Sequence, residues 1–249
     1  MGEILIYSDF LKTYKTRGYR INHLERYKNL FPIVSSPQLA GIVADLMGDG
    51  HLQGNPIWRG DYTSKSLKEL KRFGHEIHSL FHTSCKIRKC NSNTYGLTYN
   101  TGINCAPIAR ILMLIGVPIG QKVLKSFRIP DWIKKDKECF RRFCQRLFTC
   151  EGGILNETGR KPRIRLEMWK SEKLIKDGVE FMNEVAQGLK RYFKIESSVI
   201  IQNKTNIRKD GIITRPIRLS ISTGSTPKFF DRVGFEGDKQ KSLKALLIK

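Results

Sequence analysis

One short pattern occurs twice in this chain of 249 residues. Residues 39–52 read LAGIVADLMGDGHL, and residues 143–155 read FCQRLFTCEGGIL. Each copy is an apolar, helix-like run that ends in an acidic residue followed by glycine, first Asp49 and then Glu151. The two carboxylates stand 102 positions apart. A repeat of this kind predicts two similar halves that each carry a carboxylate at the same place.

The elements predicted around the two copies follow the same order. Ser36 followed by Pro37 favours a helix start, because serine accepts from unpaired N–H groups and proline suits the first helical position. The glycines at positions 48 and 50 favour a helix end. We expect each half to contain a helix, a strand pair, a helix, a strand pair and a helix. The predicted division is an N-terminal extension over residues 1–35, a first half over 36–133 and a second half over 134–249.

Charge and composition restrict the partners of the chain. It has 45 Lys and Arg residues against 23 Asp and Glu residues, a net charge of +22 and a pI near 9.9. Self-repulsion of this size favours a polyanionic partner, and nucleic acid is preferred over an anionic membrane surface. No apolar run reaches the ~18–20 residues that span a bilayer, so no membrane association is expected. The six cysteines lack zinc-ribbon spacing, which indicates reduced thiols in an intracellular protein, cytoplasmic, nucleoid-associated or in an organellar matrix.

Further segments support a family resemblance. Residues 115–122 read IGVPIGQK, residues 128–133 read RIPDWI, and residues 233–239 read VGFEGDK. Together with the paired motifs, they resemble single-chain LAGLIDADG homing endonucleases over residues 39–241. The resemblance implies an α+β fold of two pseudo-symmetric αββαββα halves. It also implies motif helices packed at the interface, antiparallel sheets that form a DNA-binding saddle, a monomer, and double-stranded DNA as the partner.

The resemblance assigns a metal-binding role to the two repeated carboxylates. Asp49 and Glu151 match the family's metal ligands, and the backbone carbonyls of Gly48 and Cys150 match its secondary ligands. Cutting a phosphodiester requires an activated water and neutralisation of charge, which Mg²⁺ supplies while bound by oxygen ligands and retained waters. We therefore expect Mg²⁺ as the cofactor, with Mn²⁺ able to substitute.

The family also places a lysine near each metal, where it stabilises charge or positions water. Lys122 and Lys239 match best, because a Gly-x-Lys follows an apolar, glycine-containing helix end in both halves. Lys125 and Lys241 are the alternatives.

Polar and basic residues in the predicted strands and their loops are expected to contact DNA. Alternate residues of a strand share one face, so Lys86 with Arg88, and Arg163 with Arg165, suit base readout, while lysines at strand ends suit phosphates. The predicted DNA contacts are Gln53, Asn55, Trp58, Arg59, Lys86, Arg88 and Tyr99 in the first half, and Asn156, Arg163, Arg165, Lys170, Gln202, Lys204, Arg208, Arg215 and Arg218 in the second.

Two departures from the family pattern have consequences. The family has a small residue where Arg146 stands and an apolar one where Asp45 stands, so we hypothesise that these two charges pair across the motif helices. Thr149 replaces a common acidic residue and leaves Glu151 as the only carboxylate of its half-site. The two strands of the DNA duplex are then expected to be cut unequally.

Three functions fit these residues. The preferred one is a site-specific, metal-dependent double-strand DNA endonuclease encoded in an intron, since both motif carboxylates are retained. The alternative is a maturase that binds its host intron RNA with the same basic surface and does not cut DNA. A third is a DNA-binding regulator built on an inactive nuclease. An intein is disfavoured, because the chain starts with Met and ends in Leu-Ile-Lys without splicing residues.

Overall fold

The computed structural model describes residues 2–14, 23–90, 96–158 and 161–248. The chain divides into two compact units, Met1–Gly120 and Gln121–Lys249. Residues 121–133, which the sequence assigns to the first half, lie in the second of these units. Within the described ranges, no helix has both the length and the apolar character needed to cross a membrane.

The first unit is an α+β structure with two antiparallel sheets. Its elements, in chain order, are β1 (Glu3–Leu5), α1 (Tyr7–Leu11), a 3-10 helix (Glu25–Leu30), β2 (Ile33–Val34), α2 (Pro37–Met47), β3 (Gly50–Gln53), β4 (Arg59–Ser64), α3 (Leu67–Phe81), β5 (Lys86–Cys90), β6 (Thr98–Ile103) and α4 (Ala106–Leu114). Strands β1 and β2 form a small separate sheet, and the main sheet has the order β3-β4-β6-β5.

The second unit repeats this plan with additions. Its elements are a 3-10 helix (Lys122–Leu124), α5 (Asp131–Lys135), α6 (Lys137–Glu151), β7 (Gly152–Leu155), β8 (Arg163–Ser171), a 3-10 helix (Glu172–Leu174), α7 (Ile175–Phe193), β9 (Ser197–Ile201), β10 (Asn206–Ile207), β11 (Ile213–Ile221), a 3-10 helix (Thr223–Ser225), α8 (Thr226–Arg232) and α9 (Gly237–Leu247).

The two main sheets share one strand order. In the first unit the strands run first, second, fourth, third along the sheet. In the second unit β7, β8, β11 and β9 follow the same order, and the short β10 also pairs with β11. All of these pairs are antiparallel. The predicted α+β class and the repeated αββαββα order are confirmed.

Local signals explain where the two motif helices begin. The Ser36 hydroxyl accepts a hydrogen bond from the Leu39 N–H at 3.2 Å, with Pro37 next along the chain. At the start of α6, a carboxylate oxygen of Asp136 accepts from the Cys139 N–H at 2.8 Å. This backbone hydrogen bond holds the pKa of the Asp136 carboxyl below its usual value. Both side chains satisfy N–H groups that a helix start leaves unpaired.

Each main sheet has a helix-covered face and an open face. In the first sheet Leu52, Tyr62 and Ile103 are buried against the helices, and the Tyr62 ring stacks on Phe73 of α3 with centroids 4.8 Å apart. In β8 of the second sheet, buried and half-buried residues alternate from Ile164 to Lys170. This period of two fixes which side chains point away from the helices.

The described part of the N-terminal segment packs on its own unit. Phe10 is buried, and its ring contacts Tyr14 and Phe31. Arg110 of α4 donates to the Thr13 carbonyl at 2.8 Å and stacks on the Tyr14 ring at 4.3 Å. Residues 15–22 of the predicted extension lie outside the described residues.

Candidate functional site

The first candidate site lies at the end of α2. Asp49 is exposed in the turn between Met47, the last residue of α2, and Gly50, the first residue of β3. A Cβ atom at Gly50 would lie 2.7 Å from the Cα of Leu46. The turn therefore requires glycine, and the carboxylate of Asp49 is fixed one residue before it.

The end of α6 has the same construction. Glu151 is the last helical residue and is half-buried, and Gly152 begins β7. A Cβ atom at Gly152 would overlap the carbonyl oxygen of Phe148. Each glycine thus follows an acidic residue and starts a strand. A Cβ atom at either position would clash with the residue four positions earlier. The sequence repeat is also a repeat of backbone geometry.

Lys239 of α9 reaches the end of α6. Its Nζ donates to the carbonyls of Thr149 at 2.5 Å and Gly152 at 2.7 Å, and it lies 3.4 Å from the carbonyl oxygen of Cys150. A cation at this end offsets the partial negative charge of the helix C-terminus. The structure therefore brings the predicted lysine next to Glu151 and next to a carbonyl predicted to bind metal.

Glu236 connects the same two helices from the start of α9. Its N–H donates to the Thr149 hydroxyl at 3.0 Å, and its carboxylate pairs with Arg146 at 2.6 Å and with Arg142. Arg146 is 0% exposed, so this ion pair places a buried guanidinium beside the end of α6. Periodicity in the sequence contains no signal for this partner, because Glu236 lies 90 residues away.

The unusual Asp45 of α2 also has a partner within its own unit. Its buried carboxylate pairs with Arg72 of α3 at 2.7 Å, and Arg72 also contacts Glu76 and Glu69. The hypothesised pairing of Asp45 with Arg146 stays a prediction.

Lys122 lies in the 3-10 helix that begins the second unit and is half-buried. Its backbone carbonyl accepts from Nζ of Lys170 at 2.7 Å, and the carbonyl of Lys125 accepts from the same nitrogen at 2.6 Å. Lys170 is 1% exposed. The prediction that Lys170 contacts DNA is therefore wrong, because its ammonium is buried and held by these carbonyls.

Most predicted contacts of the first unit share the open face of its sheet. Gln53 pairs directly with Arg59, and the adjoining registers place Lys86 and Arg88 on the same side. Arg59, Lys86 and Arg88 are exposed. Such a face presents cationic and amide donors side by side, as groove or phosphate recognition requires.

Of the two aromatic residues predicted to contact DNA in this unit, Tyr99 needs revision and Trp58 stays a prediction. Tyr99 pairs with Ser64 and lies on the same face as Tyr62, which is the helix-covered face, so its assignment to the open face is wrong. Trp58 stacks on Arg110, whose guanidinium carbon lies 4.1 Å from the centroid of the indole ring. Asn55 is exposed in the β3–β4 turn.

The open face of the second sheet carries three of the predicted arginines. Arg163, Arg165 and Arg218 lie on it by register. Arg218 donates twice to a carboxylate oxygen of Glu167, at 2.7 and 3.0 Å. Arg215 pairs directly with Lys170 and lies on the helix-covered face. The open-face assignment of Arg215 is therefore wrong, since the face follows from register and not from side-chain type.

The remaining predicted contacts lie in loops of the second unit. Asn156 follows β7, Gln202 follows β9, and Lys204 lies with its Nζ 5.8 Å from the Trp169 ring centroid. Arg208 pairs with Asp210 at 3.0 Å.

Sequence reasoning missed several open-face residues that the alternation in β3, β4, β6, β8 and β11 could have identified. They are His51, Asp61, Thr63, Asn100, Glu167, Trp169 and Ser220.

Among the residues that the structure describes, no three His, Cys, Asp or Glu side chains are grouped to hold a metal ion. Mg²⁺ does not require such a cage, because it keeps several waters and is commonly bound by one or two carboxylates together with substrate phosphates. One carboxylate at the end of each motif helix fits that donor set.

No protein-family model matches the chain. The architecture described above is the LAGLIDADG homing endonuclease fold. The chain is similar to a variant of the homing endonuclease I-DmoI, with a TM-score of 0.54, 16% identity, and coverage of 84% of this chain and 97% of that one. It is also similar to the homing endonuclease I-WcaI bound to its DNA recognition sequence, with a TM-score of 0.56, 12% identity, and coverage of 93% and 96%. I-DmoI in complex with DNA and Ca superposes with a TM-score of 0.54 at 15% identity, over 86% of this chain and 98% of that one. The TM-scores show similarity of fold, and at these identities they show the fold alone.

Three curated relatives have unrelated names. The chain is 28% identical over 237 residues to the tRNA-splicing ligase RtcB of Pyrococcus abyssi, covering 89% of this chain and 25% of that protein. It is 29% identical over 244 residues to the RNA polymerase subunit Rpo1N of Methanocaldococcus jannaschii, covering 90% and 18%. It is 27% identical over 210 residues to the replication factor C small subunit of that organism, covering 77% and 11%. The chain thus spans a quarter or less of the length of these relatives.

Proposed function

We propose that this protein is a site-specific DNA endonuclease that hydrolyses one phosphodiester on each strand of a long, asymmetric double-stranded target. The observation that carries the proposal is the duplicated helix end, where a required glycine fixes a carboxylate at the same backbone position in two units of the same topology. A duplex offers two scissile phosphates, one for each carboxylate.

Asp49 and Glu151 would hold Mg²⁺, with Mn²⁺ as a substitute and the Gly48 and Cys150 carbonyls as further donors. When bound, the ion supplies an activated water and neutralises charge on the phosphate. Lys239, whose ammonium lies at the end of α6, contributes positive charge beside Glu151. Lys122 is proposed to do the same for the other carboxylate.

The open faces supply binding. Arg59, Lys86 and Arg88 in one sheet, and Arg163 and Arg165 in the other, would contact phosphates and base edges. The net charge of +22 favours binding to a long polyanion such as double-stranded DNA. Because the residues of the two faces differ, the proposed target is asymmetric.

The comparisons support a nuclease over a ligase. A ligase, a polymerase subunit and a replication factor share no activity by name, yet each contains a segment similar to this chain. A segment common to all three cannot carry all three activities, so we infer that it is a separate module inserted into longer chains. The fold neighbours I-DmoI and I-WcaI are homing endonucleases, and this likeness supports nuclease activity for the module. Origin in an intron stays a prediction.

The test is cleavage of a plasmid library that carries randomised sites, followed by sequencing of the cut ends. We expect cutting at one defined site with Mg²⁺ or Mn²⁺. On that site, Asp49→Asn and Glu151→Gln should each abolish cutting of one strand and leave opposite nicks. The matched control is Asp231→Asn, an exposed carboxylate of α8 outside the proposed site.

Two results would overturn the proposed nuclease function or its assigned residues. If the wild-type protein cuts no site with either metal and binds structured RNA tightly, the maturase function replaces this proposal. If both carboxylate variants cut both strands like the wild type, the assignment of the catalytic ends of α2 and α6 is wrong.

A further inference from the structure

Lys170 is an unusual residue for its position in the second sheet. The preceding helix-covered positions of β8 are Ile164, Leu166 and Met168, all buried and apolar. Lys170 continues this series and is 1% exposed, although an isolated buried ammonium is strongly unfavourable. An apolar residue would serve the core equally well. Packing of the core therefore does not explain why a lysine stands at this position.

The ammonium of Lys170 is directed at one short segment of chain. It donates to the carbonyls of Lys122 at 2.7 Å and Lys125 at 2.6 Å. It also lies 3.8 Å from the centroid of the Phe127 ring, within the range of a cation–π contact. Three interactions thus connect β8 to residues 122–127, which contain the 3-10 helix Lys122–Leu124.

The surrounding residues leave space for the lysine stem. A Cβ atom at Gly178 of α7 would lie 2.8 Å from Cγ of Lys170 and would overlap Ile217. Burial lowers the pKa of Lys170 to about 8, while the nearby Asp177 acts to raise it and the cations Lys122 and Arg128 act to lower it. Burying this ammonium carries an energetic cost, and its contacts are with this turn and the Phe127 ring.

We propose that Lys170 is a positioning residue that holds the backbone of the turn carrying Lys122. This inference rests on the proposed function, in which Lys122 acts near a scissile phosphate. Because a catalytic group displaced by about 1 Å can lose roughly a hundredfold in rate, a clamp on its backbone matters for cleavage and not for DNA affinity.

The test uses single-turnover cleavage of a duplex labelled on both strands. Lys122→Met defines which strand depends on Lys122. Lys170→Met should slow cleavage of that same DNA strand by about tenfold or more. The cleavage rate of the other DNA strand and the Kd for DNA should stay unchanged. Adding Lys122→Met to Lys170→Met should give no loss beyond that of Lys122→Met alone, because both changes remove one effect.

Two controls separate positioning from general damage. Val185→Ala removes volume from another buried position of α7 and leaves the contacts of Lys170 with residues 122–127 intact, so it should not reproduce the strand bias of Lys170→Met. Lys176→Met, at an exposed position of α7, should behave as the wild type. If Lys170→Met does not fold, Lys170→Gln keeps a neutral N–H donor group and should produce the same strand bias at a smaller size.

The inference and the proposed function fail in different ways. A wild-type protein that cuts no DNA overturns the proposed function. If the wild type cuts DNA, three results overturn the positioning role of Lys170 alone. These are Lys170 variants that leave the cleavage rate of both DNA strands unchanged, reduce both rates equally, or add their full loss to that of Lys122→Met.

Discussion

Gly50 and Gly152 show how single residues define the candidate site. Each follows a motif carboxylate, and neither position has room for a Cβ atom against the preceding helical turn. The reason for glycine is therefore steric contact with backbone atoms, which cannot move aside as the end of a flexible side chain can.

Replacing either glycine should destabilise its unit. We expect Gly50→Ala and Gly152→Ala each to lower the free energy of unfolding by about 1–3 kcal/mol or more, the usual cost of overpacking. Gly74→Ala in α3 and Gly224→Ala are the matched controls, since a Cβ atom meets ordinary contacts at the first and open space at the second. Urea unfolding measures the differences, and control variants as unstable as the other two would contradict the steric explanation.

The buried ammonium of Lys170 predicts a pH dependence of stability. Its folded pKa of about 8 lies below the ordinary value of about 10.4, so between these pH values the unfolded chain binds more protons. The contribution of Lys170 to the unfolding free energy should therefore rise with pH through this window.

Comparison with Lys170→Met isolates this effect from other titrating groups. The stability of the wild type relative to the variant should increase from pH 7.5 to pH 10. Lys176→Met, which alters an exposed lysine, should track the wild type at every pH. Parallel curves for wild type and Lys170→Met would refute the depressed pKa.

At the scale of elements, α9 is attached to the end of α6 by charged groups. Glu236 pairs with the fully buried Arg146, and Lys239 donates to carbonyls on either side of Glu151. The position of a predicted catalytic lysine thus depends on the docking of a helix that starts 85 positions after Gly152.

Breaking the Arg146–Glu236 pair should be costly. We expect Arg146→Ala or Glu236→Gln to lower stability by roughly 3–5 kcal/mol, because removing one partner breaks an ion pair whose guanidinium is buried. The double variant should lose less than the two single losses combined, which a thermodynamic cycle from chemical unfolding measures. Full additivity would show that the pair makes no net contribution.

For the whole molecule, the net charge of +22 dominates the expected interaction with DNA. Binding that neutralises many phosphates weakens steeply with salt, and we expect a loss of about a thousandfold or more between ~50 and ~200 mM. Arg165→Ala, on an open face, should make the slope of log K against log salt less steep. Lys190→Ala, at an exposed position of α7, should leave it unchanged, and equal slopes for both variants would contradict DNA binding through the open face.

Much of the fold could be predicted from local patterns. The repeat of Asp49-Gly50 and Glu151-Gly152, the cap at Ser36 and the helical and strand periodicities led to the correct class and element order, because each depends on residues a few positions apart.

Side-chain placement could not be predicted in the same way. Tyr99, Lys170 and Arg215 lie in strands β6, β8 and β11, and register puts them on the helix-covered faces. A shift of one residue exchanges the faces of a strand, and register depends on a partner strand that is distant in sequence. The partners of Arg146 and Lys170 were missed for the same reason, since Glu236 and Lys122 lie 90 and 48 positions away. Periodicity therefore defines the elements of this protein, and long-range packing defines where their charges lie.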